Sequence, residues 1–321
     1  MRCSGERGSE GWGGVSGALL GVDVGGTKVA LLLECGALVL RESFRWPVDG
    51  DPLGDLGLLA RAVADLVRRA GAPLAGVGIA LPATVHDGVV TAWPSRPGWV
   101  GLDLGDFLDR VGAPVLVADD GDLAALAEAR AHGCADLVYA GVGTGIGGGV
   151  VSGGTPFPGP ARGSCELGHV VVALDGPACP CGRNGCVQAF ASGAAVLAEA
   201  GRLAGAPVTG PELVRALGDG RRWARSAVER GVKALSAALV GVGELVRPSL
   251  HVVGGGFAVA VPGFVDAVAE RCAALARPGH ATAPVLPALL GGLSSLRGAV
   301  HAAELARAQG ARSSSARAAK R

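Results

Sequence analysis

The chain has 321 residues, enough for two lobes with separate cores, and a formal charge of +1. That balance gives no electrostatic pull toward nucleic acid or an anionic membrane. No apolar run reaches the roughly 18 residues a membrane span needs. Residues 1–17 are rich in Gly and Ser, with mixed charge and no apolar core. They read as a disordered tail, not as a signal peptide. A strand is expected over 18–24, ending in Asp23-Val24-Gly25-Gly26-Thr27-Lys28. Two more follow over 29–33 and 37–44, with Gly36 between them, so the first three strands predict an antiparallel meander. Helical spacing covers 58–69, and 74–80 reads as a buried strand. Another strand, 115–118, leads into Asp119-Asp120-Gly121-Asp122. A helix follows over 123–132, with Asp122 placed as its N-cap.

Strands over 136–141 and 147–151 repeat the strand–glycine–strand device of the N-terminus, as a duplicated α/β lobe would. Helices are expected over 193–204 and 221–246, then a strand over 250–253 that meets Gly254-Gly255-Gly256. Two more helices, 262–276 and 294–307, complete the pattern. The division is a lobe over 18–118, a second over 119–293, a helix over 294–309 packing back on the first lobe, and a disordered tail over 310–321.

Four places carry chemistry. Asp23-x-Gly25-Gly26-Thr27-Lys28 sits on a strand-to-strand turn, where glycines let backbone N–H groups approach an anion and Thr27 adds a hydroxyl. Asp23, at the strand end, can hold a Mg²⁺-bound water. A plain glycine hairpin explains this turn equally well. The stretch from Gly141 to Gly149 holds six glycines in nine residues, more than a hairpin needs. It fits a backbone cradle for phosphate, centred on Gly143, Thr144 and Gly145, and it is neither a Walker A loop nor a Rossmann turn because a strand follows. Two such loops point to an actin-like ATPase, with Gly254-Gly255-Gly256 as the place where adenine meets backbone. Asp120 ends a strand, where open α/β sheets place ligands, and can accept a proton from an attacking hydroxyl. Capping accounts for one of Asp119, Asp120 and Asp122, not for three. Finally, His169 precedes Cys179, Cys181 and Cys186, a Cys₃His set suited to a closed structural zinc. With eight cysteines in a chain of this size, a metal site in a reducing cytosol fits better than a disulfide framework.

In order along the chain stand Asp23-x-Gly-Gly-Thr-Lys, Asp120-Gly-Asp-Leu-Ala-Ala-Leu-Ala-Glu128, Gly143-Thr-Gly-Ile-Gly-Gly-Gly149, Glu166-Leu-Gly-His169 and Asp175-Gly-Pro-Ala-Cys179-Pro-Cys181-Gly-Arg-Asn-Gly-Cys186. Over about residues 18–305 the chain resembles the ROK family of sugar kinases. Around 170–193 it looks most like the N-acylmannosamine kinases, and as a whole it also resembles glucokinases. The resemblance implies a two-lobed actin-like (ribonuclease H-like) α/β fold with a zinc knuckle, ATP with Mg²⁺ and Zn²⁺, a cytoplasmic location and a homodimer. It implies Asp120 as general base on a hexose hydroxyl, typically the 6-OH. It implies Glu166 and His169 at the sugar, with His169 also on zinc. The family's repressors carry a helix-turn-helix ahead of the kinase module, which the short polar N-terminus does not match.

Three departures concern the acceptor. Asp119 stands where the family usually has Asn, Gln188 where it usually has Glu, and Pro94-Ser95 where it has Pro-Asn. The chain holds one Asn in all, so Asp119 and Asp122 also fit compositional drift, whereas Gln188 does not. If Asp119 and Gln188 face the acceptor, an added carboxylate favours a cationic amino-hexose such as kanosamine (3-amino-3-deoxyglucose). A glucokinase, an N-acylmannosamine or N-acetylglucosamine kinase, a C7-cyclitol kinase, a sugar-sensing regulator without catalysis and an actin-like assembly ATPase are the alternatives.

Overall fold

The computed structural model describes residues 17–47, 51–86, 88–93, 95–159 and 163–318. The expected N-terminal tail, apart from Gly17, lies outside the described residues, as do Pro94 and residues 319–321.

The first lobe opens with β1 (Ala18–Val24), β2 (Lys28–Cys35) and β3 (Leu38–Arg45), an antiparallel meander as expected. Then come α1 (Pro52–Ala70), β4 (Leu74–Ala80), a small hairpin of β5 (Thr84–His86) and β6 (Val89–Ala92), α2 (Gly105–Arg110) and β7 (Val115–Ala118). The sheet order is β3-β2-β1-β4-β7, with β1, β4 and β7 parallel. β1 is central and almost wholly buried, whereas edge strand β3 alternates exposed and half-buried residues, as a one-faced strand should. α1 is held at both ends: Asp51 accepts the Gly54 N–H at 2.9 Å, and Gly71 closes the helix at φ 63°.

The second lobe starts with α3 (Asp120–Ala131), β8 (Leu137–Val142), β9 (Ile146–Ser152) and β10 (Thr155–Phe157). After the cysteine segment follow α4 (Gln188–Ala191), α5 (Gly193–Ala204), α6 (Gly210–Gly218), α7 (Arg222–Val246), β11 (Leu250–Gly254), α8 (Gly256–Ala260), α9 (Phe264–Ala274), β12 (Val285–Pro287) and α10 (Ser294–Ala318). The sheet order is β10-β9-β8-β11-β12. Again a three-strand antiparallel meander is extended by two parallel strands. The two lobes therefore share one topology, strand for strand, and the chain has the two-lobed actin-like α/β fold.

α10 joins the lobes. It lies so close to β4 that a Cβ at Gly78 would sit 1.9 Å from the Ala299 carbonyl oxygen. On α10 itself, a Cβ at Gly298 would sit 1.8 Å from the Leu123 carbonyl of α3. Only glycine permits these backbone approaches. Glu128, fully buried near the end of α3, accepts from Leu289 N at 2.8 Å, Leu290 N at 3.1 Å and Ser294 Oγ at 2.7 Å. It fixes the start of α10 to the helix that begins at Asp120.

The structure adds α2, α4, α6, the β5–β6 hairpin, β10 and β12 to the expected elements, and two further details differ. α8 was not anticipated, because five residues are too few to show a helical period. α10 continues to Ala318, past its expected end near 307 and into the stretch read as a tail, with Gly310 still against Pro114.

Candidate active site

β7 ends at the cleft between the lobes and hands the chain directly to α3. Asp119 takes the N-cap: its backbone is extended at φ −60°, ψ 146°, and its carboxylate accepts the Gly121 N–H at 2.9 Å. This corrects the assignment of the cap to Asp122, which lies one turn too deep. Asp122 is 2% exposed and faces the second lobe, accepting the Cys165 N–H at 3.5 Å. Asp119 and Asp122 line a cleft of about 900 Å³ with Leu81, Thr84, Thr91 and Ser164.

The acids here strain against one another. Burial, then the charge of neighbouring Asp120, pushes Asp119 up to about 7. Burial, then the charge of Asp119, pushes Asp122 up to about 7. Asp120 is raised by burial and by the charge of Asp23 from the other lobe. Asp23 is raised by burial, against the opposing pull of a Ser295 hydrogen bond and the Lys28 charge. Glu166 adds to the repulsion on Asp119, Asp120 and Asp122, and accepts the Ser164 hydroxyl at 2.8 Å. Asp23, Asp119, Asp120 and Glu166, four residues singled out from sequence, thus lie close enough for their charges to act on one another.

The first glycine loop, Gly25 to Thr27, joins β1 to β2, and Thr27 and Lys28 are exposed. Its counterpart joins β8 to β9, where Gly143 N donates to the Gly145 carbonyl at 2.9 Å and Thr144 is exposed. Gly255, at φ 91°, lies against the Val142 backbone just ahead of this second loop. Gly254 closes β11 and Gly256 opens α8.

His169 Nδ1 lies 3.6 Å from Cys179 Sγ, and Cys181 Sγ lies 3.6 Å from Cys186 Sγ. All four ligand atoms fall within 4.8 Å of one another. Bonds of about 2.0–2.3 Å in a tetrahedron put ligand atoms roughly 3.5–3.8 Å apart, so the set fits zinc. The backbone shapes the knuckle: Cys179 N donates to Arg183 O at 2.8 Å and Gly182 N to Cys179 O at 2.9 Å. The Arg183 N–H holds the exposed Cys181 thiol well below its usual range, while burial pushes its neighbour Cys186 up to about 11.

Gln188, expected to meet the acceptor, lies between the cysteine segment and the second glycine loop, beside Gly168. Its Oε1 accepts the Ile146 N–H at 3.3 Å, and its Nε2 donates to Cys179 Sγ at 3.5 Å. It spans from the knuckle to the base of the second glycine loop. That geometry calls for an amide. A carboxylate would accept from Ile146 but has no proton to donate to Cys179 Sγ.

Sequence reading missed Trp46, Asp55 and Arg96, which contact the first glycine loop or brace the residues that do. Nothing local marks them, since the contacts join residues 21 to 70 positions apart. Ser295, the partner of Asp23, comes from the far end of the chain and left no local signal either.

The ROK family profile matches residues 19–307. Kanosamine kinase of Amycolatopsis mediterranei is 53% identical over 290 residues, covering 89% of this chain and 96% of that protein. Among solved structures, a ROK hexokinase from Thermus thermophilus is 32% identical with a TM-score of 0.81, covering 90% of this chain and 98% of that one. A ROK glucokinase from Streptomyces griseus, in complex with glucose and AMPPNP, is 29% identical with a TM-score of 0.71, covering 91% of this chain and 99% of that one.

Proposed function

The chain belongs to the ROK family and is an ATP-dependent sugar phosphotransferase, and from that premise we propose that its acceptor is an amino-hexose of the kanosamine type, phosphorylated on the 6-OH. The observation that carries the acceptor is Asp119, a second carboxylate placed beside Asp120 in the cleft and raised by its neighbours. A neutral hexose leaves that repulsion in place. An ammonium group relieves it and forms a charge-assisted hydrogen bond. The 53% identity to a kanosamine kinase points the same way.

Phosphoryl transfer asks the protein for positioning and charge stabilisation more than for covalent chemistry. Asp120 takes the proton of the acceptor hydroxyl as that oxygen bonds to the γ-phosphorus. The bond from the γ-phosphorus to the bridging oxygen breaks, and ADP leaves. The two glycine loops present backbone N–H groups to the phosphates. Mg²⁺, when bound with ATP, neutralises phosphate charge, and Asp23 is the residue that would hold it. Zinc would be held by His169, Cys179, Cys181 and Cys186. With Nδ1 facing the metal, the other nitrogen of His169 is left for the acceptor, beside Glu166. Assembly as a cytoplasmic homodimer is part of the same reading, carried by the family resemblance. Among the described residues no helix is long and apolar enough to cross a membrane.

ATP turnover with kanosamine, glucose and N-acetylmannosamine tests the activity. The highest kcat/KM is expected with kanosamine. Asp120→Asn should lower kcat by about 10²–10⁴ with the fold intact. Undiminished turnover in that variant would remove Asp120 from the role of base.

A further inference from the structure

The first glycine loop is gripped from one side. Trp46 Nε1 donates to the Gly25 carbonyl at 2.8 Å. Arg96 Nη1 donates to the Gly26 carbonyl at 3.1 Å. The backbone N–H of Trp46 donates to the Thr27 carbonyl at 3.1 Å. Three successive carbonyls are thus held by groups outside the loop.

In a planar trans peptide the C=O and the following N–H point in opposite directions. Holding the Gly25 and Gly26 carbonyls therefore turns the N–H groups of Gly26 and Thr27 away from Trp46 and Arg96. The gripping side is buried. Trp46 is 6% exposed, and the Arg96 side chain pairs with Asp55, itself 1% exposed. The opposite side is open, since Thr27 and Lys28 are exposed.

The grip is stiff. The Arg96 guanidinium lies 5.1 Å from the centre of the Trp46 ring. Asp55 also accepts the Trp99 indole N–H at 3.1 Å. Ser95 packs onto the loop so closely that a Cβ at Gly26 would meet its Oγ at 2.5 Å. A desolvated ion pair is a weak source of stability, so holding geometry is the better account of Arg96 and Asp55.

We propose that Trp46 and Arg96 are positioning residues that aim the N–H groups of Gly26 and Thr27 at the terminal phosphates of ATP. The terminal phosphates are assigned because the loop follows directly on the end of β1, which carries Asp23, the residue that would hold Mg²⁺. This rests on the phosphotransferase reading.

Calorimetry on the full chain, without acceptor, tests it. Trp46→Phe removes the indole donor but keeps a ring beneath Arg96. AMPPNP should bind about 3- to 10-fold more weakly, the worth of one net hydrogen bond. AMP, which lacks the terminal phosphates, should change by less than about 2-fold on the same reasoning. KM for ATP should rise while KM for the acceptor holds. Arg96→Met strands Asp55, so it is made together with Asp55→Asn, and the same split between AMPPNP and AMP is expected. If that double variant does not fold, Trp46→Phe decides alone. Equal weakening of both nucleotides, or unchanged AMPPNP affinity, overturns the proposal. Failure of the unmodified chain to bind AMPPNP at all would instead remove the phosphotransferase reading.

Discussion

Asp119 and Asp122 stand three residues apart and are raised to the same degree, yet for different ends. Asp119 caps α3 and borders the cleft. Asp122 lines the same cleft but is 2% exposed and accepts one long hydrogen bond, whereas Asp119 is half-buried. Of the two, Asp122 fits compositional drift from Asn, and Asp119 fits a working carboxylate. Drift at a buried site has a thermodynamic signature. The folded value of Asp122, about 7, lies above the 3.8 of an open chain, so ionising it costs more in the fold than out of it. The cost is absent below about pH 4, grows as pH rises, and is full above about pH 7. Asp122→Asn should therefore raise the melting temperature at pH 8, by stability on the order of 2 kcal/mol, and leave it nearly unchanged at pH 4. Melting curves at the two pH values check this. An equal shift at both would mean that Asp122 is not held as described.

At the scale of elements, the two glycine hairpins, the strand ending at Asp120 and the Cys₃His knuckle were legible in sequence. Each is a local run whose chemistry is written in neighbouring residues. What was not legible depends on approach between distant segments. Which Asp caps α3 turned on where the helix begins, at 120 and not at 123, a boundary that apolar pattern leaves uncertain by a few residues. Gln188 reads as an acceptor contact when only its spacing from Cys186 is seen. The fold also carries it to Ile146, 42 residues away, which spacing alone does not show. Its position couples knuckle and loop, and that coupling can be measured. Gln188→Glu should weaken zinc retention against a chelator and raise KM for ATP together, because one carboxylate replaces a donor to Cys179 beside the Ile146 contact. Loss of acceptor affinity alone, with zinc and ATP unaffected, would return residue 188 to the acceptor site. Cys181→Ser, by contrast, should lose metal and acceptor binding while ATP affinity changes less.

Across the whole molecule, charge is close to balanced at +1, but it is not evenly spread. Asp23, Asp119, Asp120, Asp122 and Glu166 form one group of acids whose charges act on one another, and Asp119 and Asp122 line the cleft. α10 packs against β4 of the first lobe and α3 of the second, and Glu128 fixes its start, so one helix joins both lobes beside these acids. A cationic acceptor satisfies such a cleft, and one residue can be changed to show it. Asp119→Asn removes the charge while keeping a side chain that caps a helix as well as Asp does. The decisive measurement is kcat/KM for kanosamine and for glucose in the unmodified chain and in this variant. The account predicts that kanosamine leads at first. It predicts a loss of about 10- to 100-fold on kanosamine in the variant, the worth of a charge-assisted hydrogen bond, with glucose nearly unchanged. Equal losses on both sugars, or an initial preference for glucose, would contradict it.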